Sequence, residues 1–95
     1  MDDERRLGVE LMSLLAAFGD MLDMDPAGDI PQDQVAKLKA FITEHMYTCS
    51  DGILQNLGRM YAGAGSMRDN IDAAGGPGTA EYAHRAIEAW CAGKH

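Results

Sequence analysis

Glycine and proline punctuate the second half of the chain, and this punctuation limits the fold more than any other feature of the sequence. Gly63 and Gly65 interrupt one apolar pattern, and the run GGPG at 75–78 interrupts the next. Glycine tolerates the left-handed backbone at helix ends, and proline lacks the amide hydrogen that a helix interior needs. After Leu57, the glycine and proline pattern therefore predicts short helices that end at glycines, followed by a last helix that starts near Thr79.

Apolar residues in the first quarter of the chain recur at intervals of three and four, which places them on one stripe of a helix. We predict this first helix from about Asp3 to Asp23, with the acidic residues 2–4 near the positive end of the helix dipole. The stripe consists of Leu7, Leu11, Leu14, Leu15, Phe18, Met21 and Leu22.

A loop is predicted next, over residues 24–31, because Pro26, Gly28 and Pro31 each interrupt a helix. We expect the second helix to begin at Gln32 or at the residue that follows it. Its apolar side is formed by Val35, Leu38, Phe41, Ile42, His45 and Met46.

The sequence TCSDG at 48–52 predicts a break, since short polar side chains compete with helical hydrogen bonding and glycine lacks a side chain. A third helix is expected from there to Gly63, and Ser66 is expected to act as the N-cap of a short fourth helix. Thr79 then opens the last helix, which Gly93 closes. No alternating strand pattern occurs, so the predicted fold class is all-α with about five helices.

Length, charge and cysteine content restrict the classes of function. The chain of 95 residues fits one domain, residues 1–95, and its net charge of −7 repels nucleic-acid phosphates. Cys49 and Cys91 form no Cys-x-x-Cys pair, apolar runs are short, and residues 2–4 are acidic where a signal peptide would be basic. We therefore expect a cytoplasmic domain with no membrane partner, which does not bind DNA by itself.

Two patterns imitate metal sites. The acidic loop at 23–34 has the sixth-position glycine of a calcium-binding loop, but Ala27 occupies a ligand position and Gln34 replaces the bidentate glutamate. The motif EYAH at 81–84, with Glu88 one turn later, provides one quarter of a di-iron site, and no second motif completes it. We predict a solvated acidic turn and an exposed ion-pair face, with no metal and no other cofactor.

Nucleophilic catalysis would need a thiolate beside a base, and the spacing of Cys49 and His45 permits such a pair. Two other interpretations of Cys49 remain open, namely a small buried apolar residue and a thiol that lines a ligand site. We predict that the chain is not an enzyme. Thiol or metal chemistry at Cys49 and His45 is the enzymatic alternative.

Methionine and aromatic residues concentrate on the second and third predicted helices. Methionine adapts to irregular apolar shapes and tyrosine adds a polar tip to a flat ring, which suits a cleft for bulky ligands. The alternative is that Phe41, Met46 and Met60 pack in the core, as helical stripes usually do. The group comprises Phe41, His45, Met46, Tyr47, Met60 and Tyr61.

A set of short motifs follows in order along residues 44–89. They are Cys49, the run LGRMY at 57–61, the run NID at 70–72, the Gly-Pro-Gly at 76–78, and Tyr82 with Ala86 and Ile87. Together these motifs resemble the TipAS antibiotic-recognition domain, the effector-binding part of certain MerR-family transcription regulators. The resemblance implies a globin-like helical fold with a cleft between helices for bulky, largely apolar or aromatic compounds such as thiopeptides.

The resemblance also implies partners and site residues. In this family an attached winged helix-turn-helix and coiled coil bind DNA as a dimer. The chain would therefore be the sensor part of a homodimeric regulator, and by itself it would be a monomer. Family members usually have upstream helices that cover the ligand, so we expect either a fragment or an open cleft. Asn56 stands where members that trap thiopeptides covalently have a cysteine, so covalent capture there is not expected. The predicted ligand-binding residues are Phe41, His45, Tyr47, Cys49, Asn56, Met60 and Tyr61.

The predicted function is therefore small-molecule sensing, for antibiotics or similar compounds, within a MerR-like regulator. The alternative function is a protein-interaction module, in which the cleft receives a helix of a partner or of the regulator's own DNA-binding half.

Overall fold

The computed structural model describes residues 2–45, 47–63 and 65–93. This part of the chain contains five α-helices and one 3-10 helix, and it contains no β-strand, which confirms the predicted all-α class. None of its helices is long and apolar enough to cross a membrane. The elements are α1 (Asp2–Ala16), a 3-10 helix (Ala17–Met21), α2 (Asp29–His45), α3 (Asp51–Ala62), α4 (Ser66–Gly75) and α5 (Thr79–Gly93).

Helix α5 is the centre of the packing. It pairs most extensively with α3, and it also contacts α1, α2, α4 and the 3-10 helix. Three of its buried residues are alanines, which allow neighbouring helices to approach closely, and the Ile87 side chain lies against Gly58 of α3. The core consists of Leu15, Phe18, Val35, Leu38, Ile42, Cys49, Leu54, Tyr61, Ile71, Ala80, Tyr82, Ala83, Ala86 and Ile87.

The predicted first helix ends earlier than expected. The α-helix stops at Ala16, and the chain continues as a 3-10 helix to Met21. In this tighter form Gly19 lies against the end of α4, where a Cβ atom on Gly19 would overlap the carbonyl group of Gly75. This approach is a tertiary contact, which the spacing of apolar residues could not predict.

The second helix also differs from its prediction, because it begins at Asp29 rather than at Gln32. Pro31 lies in its first turn, where no amide hydrogen is needed for helical bonding. The acidic loop before it is a turn, in which the Ala27 amide donates to the Asp25 carboxylate at 2.9 Å.

The predicted breaks between the remaining helices are confirmed, but one cap is not. Ser50 caps α3 by accepting a hydrogen bond from the Ile53 amide at 3.2 Å. Ser66 was expected to cap α4, but it is the first helical residue and Gly65 precedes it with φ of 144°. Glycine takes the cap position because this backbone conformation strains any residue with a Cβ atom.

The Gly-Pro-Gly run between α4 and α5 forms a hydrogen-bonded junction. Gly76 and Gly78 have φ of 105° and 91°, which only glycine adopts without strain. The Thr79 hydroxyl donates to the Gly76 carbonyl at 2.6 Å, and the Ala80 amide donates to the Asp72 carboxylate at 2.9 Å. Asp72 thereby satisfies one of the free amides at the start of α5.

Candidate ligand-binding groove

Two of the predicted site residues, Phe41 and His45, form a ring pair on α2. Their ring centroids are 4.8 Å apart and the ring planes are inclined by 47°. Phe41 is partly buried against the core, whereas His45 is exposed. The pair therefore joins the interior to the surface along the last two turns of α2.

Each ring of this pair faces a cavity that α1 helps to line. The Phe41 cavity has a volume of about 380 Å³ and the His45 cavity about 330 Å³. Glu10 lines both, so the two cavities adjoin, and we call them together the α1–α2 groove. The groove is lined by Arg6, Leu7, Glu10, Ser13, Leu14, Ala17, Gln34, Phe41 and His45.

The groove stays open because small residues of α1 and of the 3-10 helix that follows it lie across from the ring on α2. Ser13 and Ala17 line the same cavity as Phe41, and neither is large enough to fill it. At this end of the groove the Gln34 side-chain amide donates to the Leu14 carbonyl at 2.9 Å and ties the two helices together. Because Gln34 is buried, this bond is strong enough to help fix the spacing of α1 and α2.

Tyr47, Cys49 and Tyr61 form a second neighbourhood just beyond α2. Tyr61 is 1% exposed, and its pKa is raised to about 12, first by burial and then by Tyr47 and Cys49 nearby. Tyr47 by contrast is 48% exposed. The structure thus brings these three predicted residues together, although only Tyr47 presents a large surface to a ligand.

Cys49 has the environment of a structural thiol. It is 2% exposed, its amide donates to the Thr43 hydroxyl oxygen at 3.2 Å, and its Sγ lies 3.8 Å from the Ser50 carbonyl oxygen. Burial raises the pKa of the Cys49 thiol, and the positive charge of Lys39 only partly opposes this effect. A raised pKa keeps the thiol protonated at neutral pH, which favours the interpretation of Cys49 as a small buried residue.

Asn56 and Met60 lie one turn apart on α3, and both are exposed. Met60 is 54% exposed, which argues against the interpretation that it packs in the core. Met46, which we grouped with these residues, lies outside the described residues. Neither Asn56 nor Met60 is among the described residues that line the groove, so their part in a site stays a prediction.

The residues that carry the family resemblance serve the framework. A Cβ atom on Gly58 would lie 3.2 Å from Ile87 Cγ2, so glycine permits the close pairing of α3 with α5. Ile71 is fully buried, and Asp72 bonds the first turn of α5. These motifs therefore specify how the helices pack, which explains why they predicted the fold better than the ligand site.

Sequence reasoning missed the contribution of α1. Leu7 and Leu14 were assigned to the core stripe, but both are only partly buried and line the groove. The small residues Ser13 and Ala17 could have indicated an open groove, because they are four positions apart and border the apolar stripe of the predicted first helix.

The patterns that imitate metal sites are ion pairs or turns. Arg85 lies 3.6 Å from Glu81, and His84 lies 3.1 Å from Glu88. The pKa of Glu88 is lowered, chiefly because the Gln55 side-chain amide donates to it at 3.0 Å. Within the described residues no group of three or more histidine, cysteine, aspartate or glutamate side chains could hold a metal ion.

A comparison with models of protein families matches residues 1–90 to the TipAS antibiotic-recognition domain. The chain belongs to this family, which confirms the resemblance and makes the chain an effector-recognition domain. No curated protein and no solved structure gave a significant match.

Proposed function

We propose that this domain senses bulky apolar or aromatic small molecules, thiopeptides or planar antibiotics among them, by binding them in the α1–α2 groove. The observation that carries the proposal is the Phe41–His45 ring pair, which borders two adjoining cavities of about 380 and 330 Å³. Cavities that hold drug-sized molecules are typically about 300 to 1,000 Å³ and are lined mainly by apolar and aromatic side chains.

The lining suggests how such a ligand would lie. Flat rings stack against Phe41 and His45, while Leu7 and Leu14 contact the apolar body of the ligand. Glu10 stands between the two cavities and offers a carboxylate to a donor group on the ligand. The Gln34 side-chain amide already donates to the Leu14 carbonyl of α1, so Gln34 forms part of the cavity wall and that amide does not bond the ligand.

The remaining predicted residues extend this proposal beyond α2. Tyr47 and Met60 are the two with large exposed surfaces, so they are proposed to contact the part of a large ligand that leaves the groove. Asn56 is proposed to contribute a polar rim contact. Cys49 and Tyr61 are almost fully buried, so they are proposed to position Tyr47 and to affect the ligand through it.

The proposed output is a change in the position of α1. A ligand held between α1 and α2 would fix these helices relative to each other, and α1 would pass this constraint to a DNA-binding segment of a MerR-like, dimeric cytoplasmic regulator. The net charge of −7 supports this proposal, because an acidic domain is repelled by DNA phosphates and another segment would have to contact DNA.

Ligand-induced stabilisation tests the proposal. A ligand that binds only the folded state adds about 2.7 kcal/mol at a concentration of 100 times Kd, so it raises the thermal midpoint. We expect one or more compounds of a thiopeptide and planar-antibiotic panel to raise it, and Phe41→Leu to reduce that rise. Phe41→Leu keeps an apolar side chain but removes the ring.

Ile30→Ala is the matched control, because Ile30 is an exposed apolar residue of α2 that lines neither cavity. It should keep the full rise. If no compound shifts the midpoint or changes Trp90 fluorescence, small-molecule sensing is contradicted.

One observation favours the alternative of a protein-interaction module. Ile53, Leu57 and Met60 recur at helical spacing on the outer side of α3, and each is exposed or only partly buried. A partner helix on this stripe predicts that Met60→Ser weakens capture of a polypeptide. Under the small-molecule proposal, the same variant weakens only the stabilisation by ligands.

A further inference from the structure

A depression separate from the groove lies where the turn after the 3-10 helix meets the start of α5. Its volume is about 260 Å³, and it shares no lining residue with the α1–α2 groove. Tyr82 forms part of its wall, and the Tyr82 hydroxyl donates to the Met24 carbonyl at 3.0 Å, so the turn is fixed against α5. We call this surface the α5 depression, which is lined by Leu22, Pro77, Gly78, Glu81, Tyr82 and Arg85.

Large apolar side chains are exposed at this surface. Leu22, which lines the depression, is 42% exposed, and Met24 beside it is 39% exposed. Both belong to the segment that Tyr82 anchors. The α5 depression therefore combines exposed apolar side chains with the charged side chains of Glu81 and Arg85.

The surroundings of the depression are acidic. Glu81 lines it, and Asp23 and Asp25 lie close enough to add to the effect of burial in raising the pKa of Tyr82. Arg85 is the basic lining group, and it is 3.6 Å from the Glu81 carboxylate. The negative charges near the depression thus outnumber the positive one, in line with the net charge of −7 for the chain.

The exposed apolar side chains and the acidic surroundings together favour some binding partners of the α5 depression over others. A second copy of the chain and a nucleic acid are both strongly negative, so both are repelled. A basic amphipathic helix brings an apolar side chain to the depression and positive charges to its acidic surroundings, which is a recurrent mode of peptide recognition.

We propose that the α5 depression docks a basic amphipathic helix of a partner polypeptide. One large apolar side chain of that helix seats against Leu22 and Tyr82, and its lysine or arginine side chains meet Asp23, Asp25 and Glu81. This surface is independent of the α1–α2 groove, so the proposal stands or falls separately from ligand sensing.

Fluorescence anisotropy with a defined probe tests the proposal. The probe is a labelled helical peptide of leucine and lysine with all leucines on one face, and its control is a peptide of the same composition with the leucines distributed around the helix. We expect Leu22→Ser to weaken binding of the probe about fivefold, the effect of losing part of a buried leucine contact. Asp23→Asn should weaken it about twofold, and less at high salt.

The matched controls lie on other helices. Val9→Ser removes an exposed apolar side chain from α1, and Asp69→Asn removes an exposed charge from α4. Both should bind the probe as the wild type does. Circular dichroism establishes that each variant is folded.

Four outcomes overturn the proposal. They are no binding of the probe, equal binding of the probe and the redistributed peptide, equal weakening by Val9→Ser and Leu22→Ser, or a self-association in sedimentation velocity that Leu22→Ser abolishes. The second would show attraction by net charge alone, the third would show apolar contacts that are not confined to the α5 depression, and the fourth would make a second copy the occupant.

Discussion

The α3–α5 half and the α1–α2 half of this domain use small residues in opposite ways. Between α3 and α5, Gly58 lets the backbone approach Ile87, and a Cβ atom there would lie 3.2 Å from Ile87 Cγ2. On the α1–α2 side, Ser13 of α1 and Ala17 at the start of the 3-10 helix leave a cavity of about 380 Å³ beside Phe41. Small residues thus close one interface and leave the other open, which separates a framework from a candidate binding site.

The largest expected effect on stability comes from adding a methyl group at Gly75, where the end of α4 meets α1 and the start of α5. A Cβ atom on Gly75 would lie 2.7 Å from Thr79 Cγ2 and 2.8 Å from the Ala16 carbonyl oxygen. We expect Gly75→Ala to cost about 3 kcal/mol or more of unfolding free energy, measured by urea denaturation, because backbone atoms must move.

Gly8→Ala is the matched control for that substitution. Nothing lies within 4 Å of the added Cβ atom, and Gly8 is within α1, so alanine should stabilise the domain by about 0.5 to 1 kcal/mol. If Gly75→Ala were equally harmless, the close contact of the end of α4 with α1 and with the start of α5 would be contradicted.

The second effect is a loss of stability in alkali. Tyr61 in the unfolded chain ionises near pH 10, whereas burial raises its pKa to about 12 in the folded domain. Its contribution is therefore complete below pH 10 and is lost between pH 10 and about 12, by about 3 kcal/mol in total. We expect Tyr61→Phe to flatten the dependence of the urea midpoint on pH over this interval.

The flattening should be partial, because burial also raises the pKa of Tyr82, Cys49 and Cys91. Tyr47→Phe should flatten the profile much less, since half of that side chain is already exposed in the folded domain and its effect on the pKa of Tyr61 is second to burial. Parallel profiles for the wild type and Tyr61→Phe would mean that Tyr61 is not in the closed part of the molecule.

A smaller effect is expected where the framework depends on one cap. The Asp72 carboxylate accepts a hydrogen bond from the Ala80 amide, so Asp72→Ala should lower the unfolding free energy by about 1 kcal/mol. Asp72→Asn keeps a side-chain oxygen and should cost less. Equal losses in thermal and urea unfolding for the two variants would show that the cap is not the cause.

The smallest effect on stability is expected in the groove. His45 is exposed, so His45→Ala should change the unfolding free energy by less than about 0.5 kcal/mol. Because His45 pairs with Phe41 beside both cavities, the variant should nevertheless reduce stabilisation by a groove ligand. Glu44→Ala, at the neighbouring exposed position, should leave both quantities unchanged, and a similar loss of ligand stabilisation in both variants would refute the role of the ring pair.

The framework was more predictable from the sequence than the groove. Apolar periodicity and the glycine run at 75–78 act locally, and they gave the helices and their breaks. The change from α-helix to 3-10 helix at Ala17 depends on the contact of Gly19 with Gly75, and the cap of α4 depends on the conformation of Gly65. Neither property can be derived from residues that are close in the sequence.

The candidate site was predictable in part for the same reason. Phe41 and His45 are one turn apart on a single helix, so their pairing follows from local spacing. The opposite wall comes from α1, and it could be known only after α1 was placed beside α2. Asn56 and Met60 lie on α3, and their role in ligand binding remains a prediction.

Amide chemical-shift mapping of a panel compound that raises the thermal midpoint shows where that compound binds. We expect the largest shifts on residues of both groove walls, Ser13, Ala17 and Phe41 among them, while Gly58 and Ile87 change little. Shifts confined to the α5 depression or to the α3–α5 interface, with the groove residues unchanged, would contradict this expectation.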